Sequence, residues 1–285
     1  MVASLLGVGP RPDVAVGRMF LEARDTAAAR APSKSGDELV RPALLCAAAQ
    51  VTPGQELEIG IDLGIEPGWH IYWPGINDSG FPPSIEWSLP EGWTVSAVRW
   101  PAPARHVSAG DILDHVYEGR ATLLATLRVA ADAPKGGTVT VGAALKWLVC
   151  KDACVPGKGA ARLQLRVGEQ ELPALDERDV RRRLAEVARR VPAPAPTDES
   201  RLRVERAGRT LRLRFQGATQ VAFYPVEDSR EFVGLLRSAA AIGQALELTL
   251  GDDETKPWRG VLEVWLEGEE FSRVYAVGQG DGLGQ

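Results

Sequence analysis

Turn signals break this chain at short intervals: Pro53-Gly54, Pro67-Gly68, Pro90-Glu91-Gly92, Lys135-Gly136-Gly137 and Pro156-Gly157. Proline removes a backbone donor and glycine frees the chain to turn, so such breaks favour short strands over long helices. Between them apolar residues alternate. Leu57, Ile59, Ile61 and Leu63 fall at a period of two, which places them on one face of a half-buried strand. The same alternation marks residues 121–129, 138–141 and 161–167. Short strands separated by turns at this spacing predict a β-sandwich.

The period changes at residues 175–191. Val180, Leu184, Val187 and Val191 line one face of a helix, with Asp176 as N-cap and Arg189 and Arg190 at the far end. Arg181-Arg182-Arg183 reads as a solvated helix face, because acids are interleaved with it. Pro192-Ala193-Pro194-Ala195-Pro196 then ends the helix as a stiff linker. Alternation resumes in Leu202/Val204, Leu211/Leu213/Phe215 and Leu246/Leu248/Leu250, and residues 261–266 are almost continuously apolar. The expected organisation is a poorly ordered leader over 1–37, a sandwich over 38–170, a helix and Pro-rich linker over 171–199, and a smaller β-domain over 200–280.

Net charge is −5, which gives no basis for nucleic-acid binding. No stretch approaches the roughly 18 apolar residues of a membrane span. Residues 1–8 are apolar but short, with no basic residue ahead of them, and are not read as a signal peptide.

Chemistry concentrates in two places. Two of the three cysteines, Cys150 and Cys154, have three residues between them in Trp147-Leu148-Val149-Cys150-Lys151-Asp152-Ala153-Cys154-Val155-Pro156-Gly157. Such a pair can form a static hairpin disulfide, exchange electrons with another dithiol, or bind a soft metal. Spacing alone leaves all three open. Lys146, Lys151 and Lys158 nearby favour a thiolate and Asp152 opposes it. Cys46, in an apolar setting, reads as a buried free thiol.

The second place is an aromatic run from Trp69 to Phe81 containing His70, Tyr72 and Trp73, followed by Trp87, Trp93 and Trp100. Core filling accounts for most of these rings. The alternative is a shield over the sulfurs, with Tyr72, Trp73 and Trp147 as candidates. His106 and His115 flank residues 107–114, read as a loop with an apolar tip; each His reads as an ordinary surface residue. Asn77-Asp78-Ser79 matches the glycosylation pattern, a weak signal at that length.

At these residues the chain resembles the N-terminal domain of the DsbD/ScsB group of thiol:disulfide interchange proteins. The likeness rests on Gly68-Trp69-His70-Ile71-Tyr72-Trp73, Asp78-Ser79-Gly80-Phe81-Pro82-Pro83, Trp100-Pro101-Ala102-Pro103, Tyr117-Glu118-Gly119, and the cysteine segment ending in Val155-Pro156-Gly157. It covers about residues 38–170, and residues 200–280 more weakly resemble the extra β-domain of the ScsB-like branch. The resemblance implies an immunoglobulin-like sandwich in the periplasm, acting as a protein-disulfide reductase-type module without a cofactor. Cys150 and Cys154 would be the redox pair. They would take electrons from a membrane-embedded thiol reductase and pass them to periplasmic thioredoxin-like or disulfide isomerase proteins, chemistry that includes cytochrome c maturation. The family shields its pair with a cap loop. By position that loop is Asp111, Ile112, Leu113, Asp114, His115 and on to Tyr117, with Ile112 and Leu113 at the tip.

The family usually continues into a membrane conduit and a thioredoxin-like domain, and neither is expected within these residues. Two rival functions stand beside this one. One is a periplasmic Cu(I)-binding protein using Cys150, Cys154 and one of His70, His106 or His115. The other is a non-catalytic interaction module with one structural disulfide.

Overall fold

The computed structural model describes residues 34–279, so most of the expected leader, residues 1–33, lies outside the described residues. The chain is mainly β, built as an immunoglobulin-like sandwich followed by a short helix and a second, smaller β-unit.

The first sandwich has a four-stranded sheet in the order Val40–Cys46, Glu56–Ile65, Arg120–Arg128, Thr94–Val95. Facing it is an eight-stranded sheet. Its central path runs Cys154–Val167, Thr138–Cys150, His70–Tyr72, Ile112–Glu118, Ala104–Ser108. The alternation seen in the sequence sorts these strands. Ile59, Ile61 and Leu63 pair with Ala125, Leu123 and Ala121 and bury completely or nearly so. They meet Val141, Ala143, Leu145, Trp147 and Val149 from the opposite sheet in one core. At about 1.5–3 kcal/mol per large buried side chain, this core dominates the stability of the sandwich.

Residues 138–150 form one strand of 13 residues, and residues 154–167 form its partner of 14. The expected turn at Pro156-Gly157 is instead inside a strand, opposite Leu148 and Trp147. The glycine there answers a packing demand. A Cβ on Gly157 would lie 2.4 Å from Trp147 Nε1 and 2.5 Å from the backbone of Gly36, and one on Gly159 would lie 2.9 Å from Trp147 and Pro42. The indole fills that space, and its Nε1 donates to the Gly36 carbonyl at 3.1 Å.

The helix Glu177–Ala188 has Asp176 at its N-cap position, where the backbone carbonyl but not the side chain accepts from the first turn, and it ends just before Arg189. Val180 and Leu184 bury against Ala47 and Leu124 on the outer face of the small sheet. Gly60 permits the approach, since a Cβ there would come within 2.8 Å of Leu184. The arginine run divides. Arg181 and Arg182 are exposed and pair with Glu177 and Asp179. Arg183, expected in solvent, turns in to Asp62 at 3.0 Å and to Thr122. The small sheet's outer face holds a buried carboxylate, Asp62, that needs a cation.

The second β-unit packs a five-stranded sheet on a four-stranded one around Leu211, Leu213, Phe215, Phe223, Leu246 and Leu248. It abuts the first sandwich through Tyr224. That ring lies 6.3 Å from Trp73 and 5.6 Å from His115, and its hydroxyl donates to Glu263 at 2.7 Å. Ile76 N donates to the Pro225 carbonyl, and Arg105 donates to the carbonyls of Leu235 and Leu236.

Candidate functional site

The cysteine hairpin pairs in register from Thr138 against Arg166 to Cys150 against Cys154. Lys151, Asp152 and Ala153 form the turn, and Cys150 and Cys154 are joined in a disulfide with Cα atoms 4.1 Å apart. Residue parity decides what surrounds the sulfurs. Odd-numbered residues from Val141 to Val149 point into the core, so Leu148 and Cys150 emerge on the outer face of the large sheet. There Cys150 packs with Tyr72 and Val116, with Leu148 at the margin. Cys150 is 2% exposed, whereas Cys154 is exposed. The two ends of one bond thus differ sharply in their access to solvent.

A loop lies over this patch. Gly80 adopts φ 62°, and a Cβ on it would fall 2.1 Å from Tyr72 Cζ, so bare backbone rests on the ring. Three side chains on the loop or beneath it fix it in place. Asp114 accepts from Ser79 N at 2.9 Å and from Ser79 Oγ at 2.7 Å. Asp78 accepts from Leu113 N at 2.7 Å. Asn77 accepts from His115 N at 2.7 Å and donates to the carbonyls of Trp73 and Gly75. The Asn77 amide of the glycosylation-like triplet is therefore spent on loop structure. Tyr72 Oη sits 3.3 Å from Ser79 Oγ and 3.8 Å from Cys154 Sγ, which links loop to disulfide. Burial raises the Tyr72 pKa, keeping the phenol protonated.

Several expected shielding residues lie elsewhere. Residues 112–118 are a strand, not a loop, and Asp111, at φ 62°, sits in the turn before it with Ile112 next in line. Within that strand Asp114 and Val116 share the disulfide's face, while Leu113, His115 and Tyr117 turn to the other. Tyr117 donates to the Pro101 carbonyl and stacks on Trp100. Trp73 faces Tyr224, and Trp147 fills the core beside Gly36. Segment 77–81 covers Tyr72 where residues 111–117 were expected to form the cap.

The histidines are not ordinary surface residues either. His115 is 1% exposed, its Nδ1 bonded to the Ile76 carbonyl at 2.8 Å. Burial lowers its pKa to about 4. It points away from the sulfurs, so it drops out of the expected copper ligand set. His70 is the cross-strand neighbour of Cys150 and is buried, its pKa lowered by burial and then by His106. The His70 and His106 rings are 4.5 Å apart, and His106 Nδ1 is 3.5 Å from Glu118 Oε1. Glu118 was not singled out as a site residue. Extending the parity of Asp114 and Val116 by one step would have placed it on this face. Cys46 is buried and free, and burial pushes its thiol pKa up.

Residues 38–165 match the family described as thiol:disulfide interchange protein DsbD, N-terminal. That segment is similar to the N-terminal domain of DsbD. Among solved structures, the N-terminal periplasmic domain of ScsB from Proteus mirabilis superposes with TM-score 0.53 at 16% identity, covering 85% of this chain and 92% of that one. This shows a shared fold extending beyond the family-matched segment into the second β-unit. The reduced N-terminal domain of DsbD from Neisseria meningitidis matches at 12% identity and TM-score 0.27, over 48% of this chain and 90% of that one. Comparison with curated protein sequences gives no match. The family assignment and the ScsB-like fold support a thiol–disulfide interchange domain, and its disulfide is Cys150–Cys154.

Proposed function

We propose that Cys150 and Cys154 are the working redox pair of a periplasmic relay. It takes electrons from a membrane-embedded thiol reductase and delivers them to thioredoxin-like or disulfide isomerase proteins, including those serving cytochrome c maturation. One observation carries this reading: the disulfide is exposed at Cys154 and packed in an apolar pocket at Cys150. A donor thiolate attacks Cys154 Sγ, a mixed disulfide forms there, and Cys150 leaves as the thiolate and takes up a proton. The donor's second thiol then attacks its own sulfur in the mixed disulfide, releasing Cys154. Two electrons and two protons have moved to this domain, and the donor is left as a disulfide. Delivery runs the same steps backwards, with the Cys154 thiolate attacking the acceptor's disulfide and Cys150 resolving the intermediate.

Among the described residues no helix is long and apolar enough to cross a membrane, so in this reading the membrane reductase is a separate partner or a separate segment. In this reading the strand Ile112–Glu118 holds the covering loop, and Tyr72 and Asp114 are the shielding residues.

The test is equilibration of the full chain against a dithiothreitol or glutathione series with thiol trapping. A potential of about −120 to −270 mV is expected, and one below about −300 mV would overturn the exchange reading in favour of a structural disulfide. Cys150→Ser should accumulate a mixed disulfide through Cys154 with a thioredoxin-like protein. Accumulation in Cys154→Ser instead would reverse the assigned order of attack.

A further inference from the structure

The outer face of the large sheet carries a second set of donors that thiol exchange does not use. Register aligns it: Cys150 stands across from His70, and His70 stands across from Glu118 on the next strand. His106 reaches over from the strand beyond, Ala104–Ser108. One nitrogen each from His70 and His106 and one oxygen from Glu118 lie within 4.8 Å of one another. We infer that His70, His106 and Glu118 form a binding site for a divalent first-row transition ion, of which zinc fits best.

Two imidazoles and a carboxylate are the donor types that zinc takes, and three protein ligands leave a fourth position for water. Tetrahedral bonds of 2.0–2.2 Å place ligand atoms about 3.3 Å apart. The His106–Glu118 separation of 3.5 Å is already close to that. The remaining adjustment falls on His106 and Glu118, whose side chains are 32% and 59% exposed and free to rotate, while buried His70 stays fixed. A simple surface ion pair would account for His106 and Glu118 but not for a second imidazole held 4.5 Å from the first. The set lacks sulfur, and the adjacent cysteines are tied in a disulfide, so a soft ion such as Cu(I) finds no thiolate here. The site does not depend on the exchange reading.

The experiment titrates Zn²⁺ into the oxidised, metal-free full chain, followed by calorimetry or competition with a chromophoric chelator. One equivalent should bind. His106→Ala at a half-buried position and Glu118→Gln at an exposed one, both outside the buried core, should each weaken binding at least tenfold. The Cys150→Ser/Cys154→Ser double variant should bind as the parent does. Cobalt(II) substituted for zinc should give no thiolate-to-metal charge-transfer absorption. Absence of binding below millimolar zinc would overturn the inference. So would binding unaffected by His106→Ala, binding lost only in the cysteine variant, or a thiolate charge-transfer band. None of these readouts measures disulfide exchange, so the two proposals fail separately.

Discussion

Gly80→Ala tests whether the covering loop governs access to the disulfide. The new methyl would lie 2.1–2.5 Å from three carbons of the Tyr72 ring. Tyr72 cannot yield readily, being 1% exposed and wedged against Val116 and Cys150. The left-handed backbone at φ 62° adds about 1–2 kcal/mol for a residue with a Cβ, and overpacking adds about 1–3 kcal/mol. Relief comes from lifting the loop, so at least about 2 kcal/mol is removed from its closed state. That corresponds to roughly a 30-fold shift towards the open form. Opening matters because an apolar pocket solvates an anionic leaving sulfur poorly, and Cys150 is that sulfur. The second-order rate of reduction by dithiothreitol should therefore rise by about tenfold or more, measured beside thermal unfolding. Unchanged rate and unchanged stability would mean that the loop does not rest on Tyr72. Lost stability with an unchanged rate would make the loop a structural element that has no part in access.

Three further outcomes follow from buried groups. His115 is held neutral in the fold, with its pKa lowered to about 4 by burial, while its unfolded value is about 6.5. Its contribution is complete above about pH 6.5 and is lost as pH falls towards 4, by up to about 3 kcal/mol. His115→Gln should flatten the stability-versus-pH curve across that window, and an unchanged slope in urea melts at several pH values would refute the burial account. Arg183→Ala removes the closest cation of buried Asp62 and should cost about 2 kcal/mol, seen as a lower urea midpoint at unchanged slope. After reduction, native protein should label rapidly at Cys154 alone and denatured protein at three thiols, because Cys46 and Cys150 are both buried and burial raises the Cys46 thiol pKa; rapid native labelling of Cys46 would contradict this.

What could be read from the sequence was whatever depends on local periodicity. Ile59, Ile61 and Leu63 bury as their spacing requires, and Val180 and Leu184 form the inner face of a helix that starts after Asp176. What misled was residue type whose meaning is set by distant chain. Pro156-Gly157 looks like a turn, yet the glycine is needed because Trp147 and Gly36 converge on it. His115 looks like a surface histidine, yet Tyr224, more than a hundred residues on, covers it. The cysteine segment and the Asp78-Ser79-Gly80 block were both visible as motifs. Their meeting over Tyr72 was not, because the bonds joining them run from Ser79 and Asp78 to Asp114 and Leu113. Glu118 carries no local signal of its own, because its face follows from a strand, Ile112–Glu118, whose first residues resemble a loop.

The hairpin has one more consequence. Its disulfide spans a sequence separation of only 4 and closes a ladder already paired from Thr138 to Cys150. A ring this small withdraws little freedom from the unfolded chain, worth about 2 kcal/mol by the loop-entropy relation against nearly 5 for a ring of a hundred residues. The architecture owes this bond less than half of what a long-range staple would contribute. In the proposed exchange it breaks and re-forms while the sheet beneath it, paired from Thr138 to Cys150, holds the two ends together, like a clasp on a hinge that is already pinned.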